Sequence, residues 1–430
     1  MTNEALTDIS KVQFFDVETL KHPHETYALL REKAPVFHIP MLNMHVVTRY
    51  DLVREAIKDT ETFSSVVDQF FGGAANQQMI ESAPENIQKE LRAIYGQMLP
   101  QPGTLISVDE PIHTKYRSIV AHLFTVSQIR KAESAVQSVI DKTLDNFAKD
   151  GKAEFVTAFA NPVPLRIIGD RLGIPEEERV FFDEAATAAA AGLRFNPIDG
   201  DEMVRRARLA LELQGVLVRL IEEARVDPQE HMISILANGT LEGEDRQLTH
   251  GECVSILNQF LVAGHETTSS TFGWGMLMLC QDPEIQSRLR DDPSLVNIFV
   301  EEALRLESPV QGLPRKVTKD TELGGYPLKA GELIMLRFGA ANRDEGQFEC
   351  AHMMDLERPK AKAGAQLAFG SGVHFCPGAP LARQELTLGF PALLERMRNI
   401  RLSSDHDVPT ADPSFLLRNL PELHIEWDLT

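Results

Sequence analysis

From Thr249 to Asp282 the chain contains no proline, and the stretch His250 to Gln281 is apolar on most sides. Thr249-x-x-Glu252 is a capping box, which opens a helix, and Asp282-Pro283 closes it. About 32 residues at 1.5 Å each give a helix of roughly 48 Å. An element of that length carrying Ile256, Leu257, Phe260, Leu261, Val262, Phe272, Met276 and Leu279 has to run buried through a domain. Only a fold with enough apolar mass can surround it, and 430 residues with 43% hydrophobic content supply that mass. No Pro/Gly/Ser-rich or charge-run linker divides the sequence, so residues 1–430 read as a single domain.

The middle of the helix breaks its own pattern: Ala263-Gly264-His265-Glu266-Thr267-Thr268-Ser269-Ser270. Glycine inside a helix costs about 1 kcal/mol against alanine. An acid and hydroxyls in an apolar setting cost more unless hydrogen-bonded, and hydroxyls bonding back to the i−4 carbonyl would bend the helix. A local rule that fails at one spot marks function; the plain alternative is a polar patch satisfied within the helix.

A second unusual stretch is Phe369-Gly-Ser-Gly-Val-His374-Phe-Cys376-Pro-Gly378-Ala-Pro-Leu-Ala-Arg383, a lone cysteine in a glycine-rich loop before a helical run. Gly370, Gly372 and Gly378 tolerate positive φ and let the backbone approach something bulky. Backbone N–H groups and the helix start favour a thiolate, the form that ligates metal. No second Cys or His stands at zinc-site spacing. A single thiolate facing a large planar cofactor suits haem; the alternative is a buried, inert cysteine.

This loop resembles the haem-binding loop of the cytochrome P-450 superfamily, Phe-x-x-Gly-x-x-x-Cys-x-Gly, through Phe369, Gly372, Cys376 and Gly378, with His374 matching a common bacterial form. The helix centre resembles that family's oxygen groove, Ala/Gly-Gly-x-acid-Thr. The resemblance implies that Gly264 leaves room for dioxygen, that Thr267 hydrogen-bonds bound oxygen or a water, and that Glu266 relays protons. Further matches follow in order: His113-x-x-x-Arg117, Glu302-x-x-Arg305, Ala341-Asn-Arg-Asp344 and Asp355-Leu-Glu-Arg358-Pro. His113 and Arg117 share a helix face by their spacing, which alone would suit a solvated basic face. By resemblance they hold the haem propionates together with Arg315 and His374. Glu302, Arg305 and Arg358 would form a buried structural charge network. The substrate pocket would be lined by Phe70, Phe71, Gln259, Val262, Ala263, Val310, Leu313 and Phe415, with Gln311 beside them.

Elsewhere, short helices and strands are expected before residue 65, including a helix over 25–33, a strand over 44–48 and a helix over 51–58 capped near Asp51. Residues 64–108 read as irregular; by resemblance they cover the distal side of the haem. Asp109 should cap the helix begun by Pro111. Residues 127–240 read as helices, broken near 161–164, 173–175 and 196–197. Ala185 to Gly192, nearly all small residues, suits a close-packed helix or a mobile one. Hairpins are expected over 323–336, and Pro391 should kink or split the helix that follows Cys376.

Formal net charge is −20, which excludes a nucleic-acid surface. The N-terminus is polar and acidic, without the basic and apolar regions of a signal peptide, and no run of about 18 apolar residues occurs, so neither a signal peptide nor a membrane span is expected. Four scattered cysteines without CxxC fit the cytoplasm. The expected fold is mainly α with minor β sheets, holding one haem b. The resemblance implies a soluble, monomeric bacterial-type monooxygenase that hydroxylates or epoxidises a hydrophobic small molecule such as a terpenoid, aromatic hydrocarbon, fatty acid or steroid. With no dinucleotide fingerprint, electrons would come from a ferredoxin and its NAD(P)H-dependent reductase, docked through Lys115, Lys360, Lys362 and Arg383. A peroxide-driven haem enzyme and a non-enzymatic gas-binding or electron-transfer haem protein are the alternatives.

Overall fold

The computed structural model describes residues 8–67, 77, 80–192, 198–244 and 246–429. Helix dominates, as expected, with three small sheets. The chain groups into two compact units: Met1–Phe63, Ile129–Pro164 and Glu266–Thr430 form the first, and Ser64–Gln128 with Leu165–His265 form the second. The division falls inside the long helix, which runs unbroken over His250–Gln281 for 32 residues. Among the described residues no helix is long and apolar enough to cross a membrane.

The strands β1 (Val36–Ile39), β2 (Met44–Val47), β3 (Phe63–Ser64), β5 (Leu313–Val317) and β8 (Leu333–Leu336) make a sheet in the order β1-β2-β8-β5-β3. β2 runs parallel to β8, and β5 antiparallel to it. Of the hairpins expected over 323–336, one forms, between β6 (Thr321–Leu323) and β7 (Tyr326–Leu328), while β8 pairs with β2 and β5. Its turn residues Gly324 and Gly325 have φ of 58° and 84°, which glycine alone adopts without strain. A second sheet pairs β10 (His424–Asp428) with β4 (Lys152–Glu154) and β9 (Arg398–Leu402).

Helix Tyr50–Lys58 packs Leu52, Val53, Ala56 and Ile57 onto the first sheet. Asp51 does not cap it. Asp51 pairs with Arg49, while the Tyr50 N–H donates to the Asp344 carboxylate at 2.8 Å. A capping group from almost 300 residues away leaves no local signal.

The second half of the long helix docks on helix Ala379–Arg396 through two reciprocal glycine contacts. A Cβ on Gly275 would lie 2.4 Å from Phe390 Cζ, and one on Gly389 would lie 2.6 Å from Phe272 Cε1. The two rings meet at 5.3 Å, with Phe159 and Phe299 closing the cluster. Helix Ala379–Arg396 is continuous through Pro391, so the expected split does not occur. Buried Phe390, Ala392, Leu393 and Leu394 hold the helix on both sides of the missing N–H.

In the second unit, residues 64–108 are more regular than expected. Glu85–Tyr95 is helical and packs Ile87, Leu91 and Ile94 against Met203, Val204 and Ala207 of helix Gly200–Val226. Ala185, Ala186, Ala188 and Ala190 are buried in helix Arg179–Gly192, which decides for the close-packed reading.

The capping box forms as expected. Thr249 N–H donates to Glu252 Oε2 at 2.7 Å, and Glu252 N–H donates to Thr249 Oγ1 at 3.2 Å. Arg246 adds bonds of 2.8 and 3.0 Å to the same carboxylate, and the Tyr116 hydroxyl donates at 2.7 Å. Burial works to raise the Glu252 pKa, but these donors outweigh it and hold it down to about 2. Such a group stabilises the fold above the unfolded carboxylate value and loses that contribution as pH falls through its folded value. Amide-exchange protection of Glu252 and Cys253 should therefore decline, relative to the helix middle, between about pH 4.3 and the folded value. In Glu252→Gln this pH dependence should vanish.

Candidate active site

The cysteine loop belongs to the first unit. Gly370 and Gly372 have φ of 67° and 69°, as their place in the loop predicted. They turn the chain so that the Cys376 N–H donates to Phe369 O at 2.9 Å and the Phe375 N–H to Gly372 O at 3.0 Å. Gly372 leans on helix Tyr50–Lys58, 3.3 Å from Ile57 Cγ2 by its ideal Cβ. Gly378 departs from expectation. Its φ is −78° and it caps helix Ala379–Arg396, so no positive φ is needed there. Cys376 is half-buried and lies just before this helix start, whose partial positive charge favours thiolate. Val373 and Phe375 are exposed beside it.

The donor set tests what this sulfur can bind. Among the described residues no group of three or more His, Cys, Asp or Glu side chains could hold a metal ion. One half-buried thiol outside any such group fits a metal that arrives in its own macrocycle. It does not fit a zinc-type site.

Behind the loop, Arg305 donates to Glu302 at 2.7 and 2.8 Å, and Arg358 donates to the same carboxylate at 2.8 Å. Arg305 also donates to the carbonyls of Asn342, Ala351 and Met353. The Glu302 and Arg305 side chains have no solvent exposure. Arg383 is tied down as well: it pairs with Glu301 and lies 4.5 Å from the Phe369 ring. It is therefore part of the loop's support and not a free surface cation. Arg315 is buried on β5 and donates to Pro314 O at 2.8 Å, while His374 sits half-buried in the turn Gly372–His374.

The long helix shows two stripes. Gln259, Ala263 and Thr267, four apart, are accessible in an otherwise buried stretch, as is Val262. Glu266, Ser270 and Trp274, also four apart, grip the segment at residues 418–419. Asn419 Nδ2 donates to Glu266 Oε1 at 3.1 Å, and Ser270 Oγ and Trp274 Nε1 donate to Arg418 O. Ser269 donates to Asn161. Only Thr271 is seen to bond back, to Thr267 O at 2.9 Å, among the described hydroxyl bonds of this stretch. Glu266, Ser269 and Ser270 thus have partners on other segments.

In the second unit, His113 is buried on helix Ile112–Ala121 with Nδ1 3.2 Å from Glu110 Oε1, and Arg117 is half-buried one turn on. Glu110, which accepts from Thr114 N–H and Oγ1, takes the capping role expected of Asp109. The Asp109 carboxylate instead accepts from Ser64 and from Ser65 N–H. Gly264 also departs from expectation. A Cβ there would lie 2.7 Å from Ile168 Cγ1, so the glycine admits a neighbouring helix where open room for dioxygen was expected.

Of the expected pocket residues, Phe70 and Phe71 lie outside the described residues. Val310 and Leu313 are half-buried. Gln259 keeps its amide on Thr104 and Ile106 N–H. Gln311 is buried between Tyr27 and Ser308, away from any open surface. Phe415 is buried against Phe14 and Phe15, under the Arg337 guanidinium at 4.7 Å. It packs the N-terminal segment and does not line an open pocket. Sequence reading missed Asn161, Arg418 and Asn419. The signal available was a polar Arg-Asn pair inside Phe415-Leu-Leu-Arg-Asn-Leu420.

Comparison with known proteins agrees in fold and sequence. The family model described as cytochrome P450 matches residues 194–425. Cytochrome P450 107B1 of Saccharopolyspora erythraea is 30% identical over 416 residues, 96% of either chain. The vitamin D(3) 25-hydroxylase of Pseudonocardia autotrophica is 31% identical over 408 residues, 94% of either chain. The structure of CYP109E1 from Bacillus megaterium in complex with corticosterone superposes with a TM-score of 0.80 at 27% identity, covering 96% of this chain and 100% of that one.

Glu302→Ala strands Arg305 and Arg358 in the interior and should cost about 3–5 kcal/mol of stability in chemical unfolding. Gly264→Ala should destabilise the parent, because overpacking at about 1–3 kcal/mol outweighs the helix gain of about 1 kcal/mol. In an Ile168→Ala background the same change should stabilise.

Proposed function

The chain belongs to the cytochrome P450 family of monooxygenases, and on that premise we propose that it inserts one oxygen atom of dioxygen into a hydrophobic small molecule, using haem b on Cys376 and electrons from a ferredoxin and its NAD(P)H-dependent reductase. The observation that carries this reading is the Cys376 loop, with its half-buried sulfur, two left-handed glycines and helix start. Bound there, the haem would supply oxygen activation and substrate oxidation, with the second oxygen atom leaving as water.

The chain's own residues do the rest. The Cys376 thiolate would hold the haem iron and supply it with electron density, and the Glu302 network holds the loop that presents the sulfur. Thr267, on the accessible stripe, places a hydroxyl where a proton can be passed on. Glu266, next to it in sequence, supplies the carboxyl that takes up and returns that proton. Arg315, His374, His113 and Arg117 are the donors we assign to the propionates. Val262, Ala263, Val310 and Leu313 are the apolar side chains we assign to the substrate, which suits a hydrophobic one. Two relatives agree with that class by name, one a vitamin D(3) hydroxylase and one holding corticosterone. For the electron donor, exposed Lys360 and Lys362 and half-buried Lys115 remain on a chain of net charge −20. Four scattered cysteines with no CxxC accord with a reducing cytosol.

The ferrous carbonyl of the purified protein should carry a thiolate signature that Cys376→Ser loses. Ligands that displace water from the ferric iron should come from a hydrophobic library. With ferredoxin, reductase and reduced nicotinamide, Thr267→Ala should still consume reductant while product per reductant falls by roughly tenfold or more, less than the roughly 10²–10⁴-fold that a positioned proton-transfer group contributes. Equal coupling in parent and variant, or full turnover with peroxide alone, would overturn the reading.

A further inference from the structure

One contact in the first unit has no part yet in the chemistry. Asn419 and Glu266 are buried, 6% and 8% exposed, and Asn419 Nδ2 donates to Glu266 Oε1 at 3.1 Å. The other end of the amide, Oδ1, is buried with no hydrogen-bond partner among the described residues. An unpaired buried carbonyl oxygen is costly, so a donor within reach of it matters.

The segment bearing Asn419 is pinned. Arg418 N–H donates to Pro309 O at 2.9 Å, and Asn419 O accepts from Asp412 N–H at 3.0 Å. Arg418 O accepts from Trp274 Nε1 at 3.0 Å and from Ser270. The Arg418 guanidinium lies 4.6 Å from the Trp274 ring and pairs with Glu307. Glu266, Ser270 and Trp274 thus present one helix face to a fixed strip of backbone. The Glu266 carboxyl rests on that gripped face, whereas Thr267 stands on the accessible stripe.

We propose that Asn419 is a positioning residue for the proton relay: its amide holds Glu266 at rest and, by turning over, retains it in either protonation state. This rests on the monooxygenase reading above. The chemistry of the amide suits the task. Its N–H donates to a carboxylate, and its carbonyl oxygen accepts from the O–H of a protonated carboxyl. A half-turn of the amide plane exchanges the two ends at the same place. Asn419 itself neither gains nor loses a proton; the proton that Glu266 takes up is the one it later passes on.

The test is a double-mutant cycle in the haem-loaded protein. Asn419→Asp keeps the shape and removes the donor, and Asn419→Leu removes both polar ends should the charged variant not fold. Either should lower product per reductant several-fold and change the solvent deuterium isotope effect on turnover. In a Glu266→Gln background neither quantity should move further. Chemical unfolding of the same proteins, independent of turnover, should show the two substitutions failing to add by about tenfold in the unfolding constant, about 1.4 kcal/mol. Equal losses in both backgrounds would reduce Asn419 to a structural residue, and Asn419 variants that stay coupled would overturn the proposal alone. A parent without a thiolate-bound haem spectrum would bring down the underlying reading and this one with it.

Discussion

The interlock of Gly275 with Phe390 and Gly389 with Phe272 sets the geometry on which the first unit depends. Two glycines inside helices cost about 1 kcal/mol each against alanine. Burial of two phenylalanines, at about 1.5–3 kcal/mol each, exceeds that cost, and the edge-on ring contacts with Phe159 and Phe299 add to it. A side chain at either glycine would push the helices apart. Because helix Ala379–Arg396 begins right after the cysteine loop, its seat on the long helix also determines where Cys376 can be. The ionic cluster at Glu302 then fixes the loop from behind, with Arg305 reaching three carbonyls that no shorter or neutral side chain would satisfy together.

The long helix resolves a conflict between length and polarity. A buried helix of 32 residues should be apolar throughout, yet its centre carries an acid and a run of hydroxyls. Partners drawn from outside it remove the penalty: Asn161 for Ser269, the Arg418 carbonyl for Ser270, and Asn419 for Glu266. None of these partners is on the helix itself. The polar centre therefore stabilises one arrangement of the surrounding segments, because any other would leave a buried carboxyl or hydroxyl without a partner.

Features whose cause is local were legible in the sequence. The capping box at Thr249 and Glu252, the stop at Asp282-Pro283, the Gly324-Gly325 turn and the left-handed glycines before Cys376 each carry their reason within a few residues. Features decided by distant segments were not. Asp51 looked like a cap because nothing nearby reveals Asp344. Gly264 looked like a gap because Ile168 lies on another helix. Phe415 looked substrate-facing because the resemblance that placed it there says nothing of Phe14, Phe15 and Arg337. Pro391 looked like a break because its missing N–H is a local fact, whereas the packing that keeps the helix whole is not.

Arg418 joins these distant contacts. Its guanidinium pairs with Glu307, which also meets Arg343 and His24 in a buried cluster. Burial works to raise the Glu307 pKa, but Arg418, His24 and Arg343 together hold that carboxylate below its usual range. Burial in turn pushes His24 down to about 4, so the cluster is held at neutral pH by two guanidinium groups and a neutral ring. The Arg418 carbonyl meanwhile accepts from the long helix. A single residue near the C-terminus thus ties the N-terminal segment, the helix bearing Glu302 and the helix bearing Glu266 into one frame. The acid beside Thr267 is placed by charges that never touch it: they hold the backbone, the backbone holds Asn419, and Asn419 holds the carboxyl.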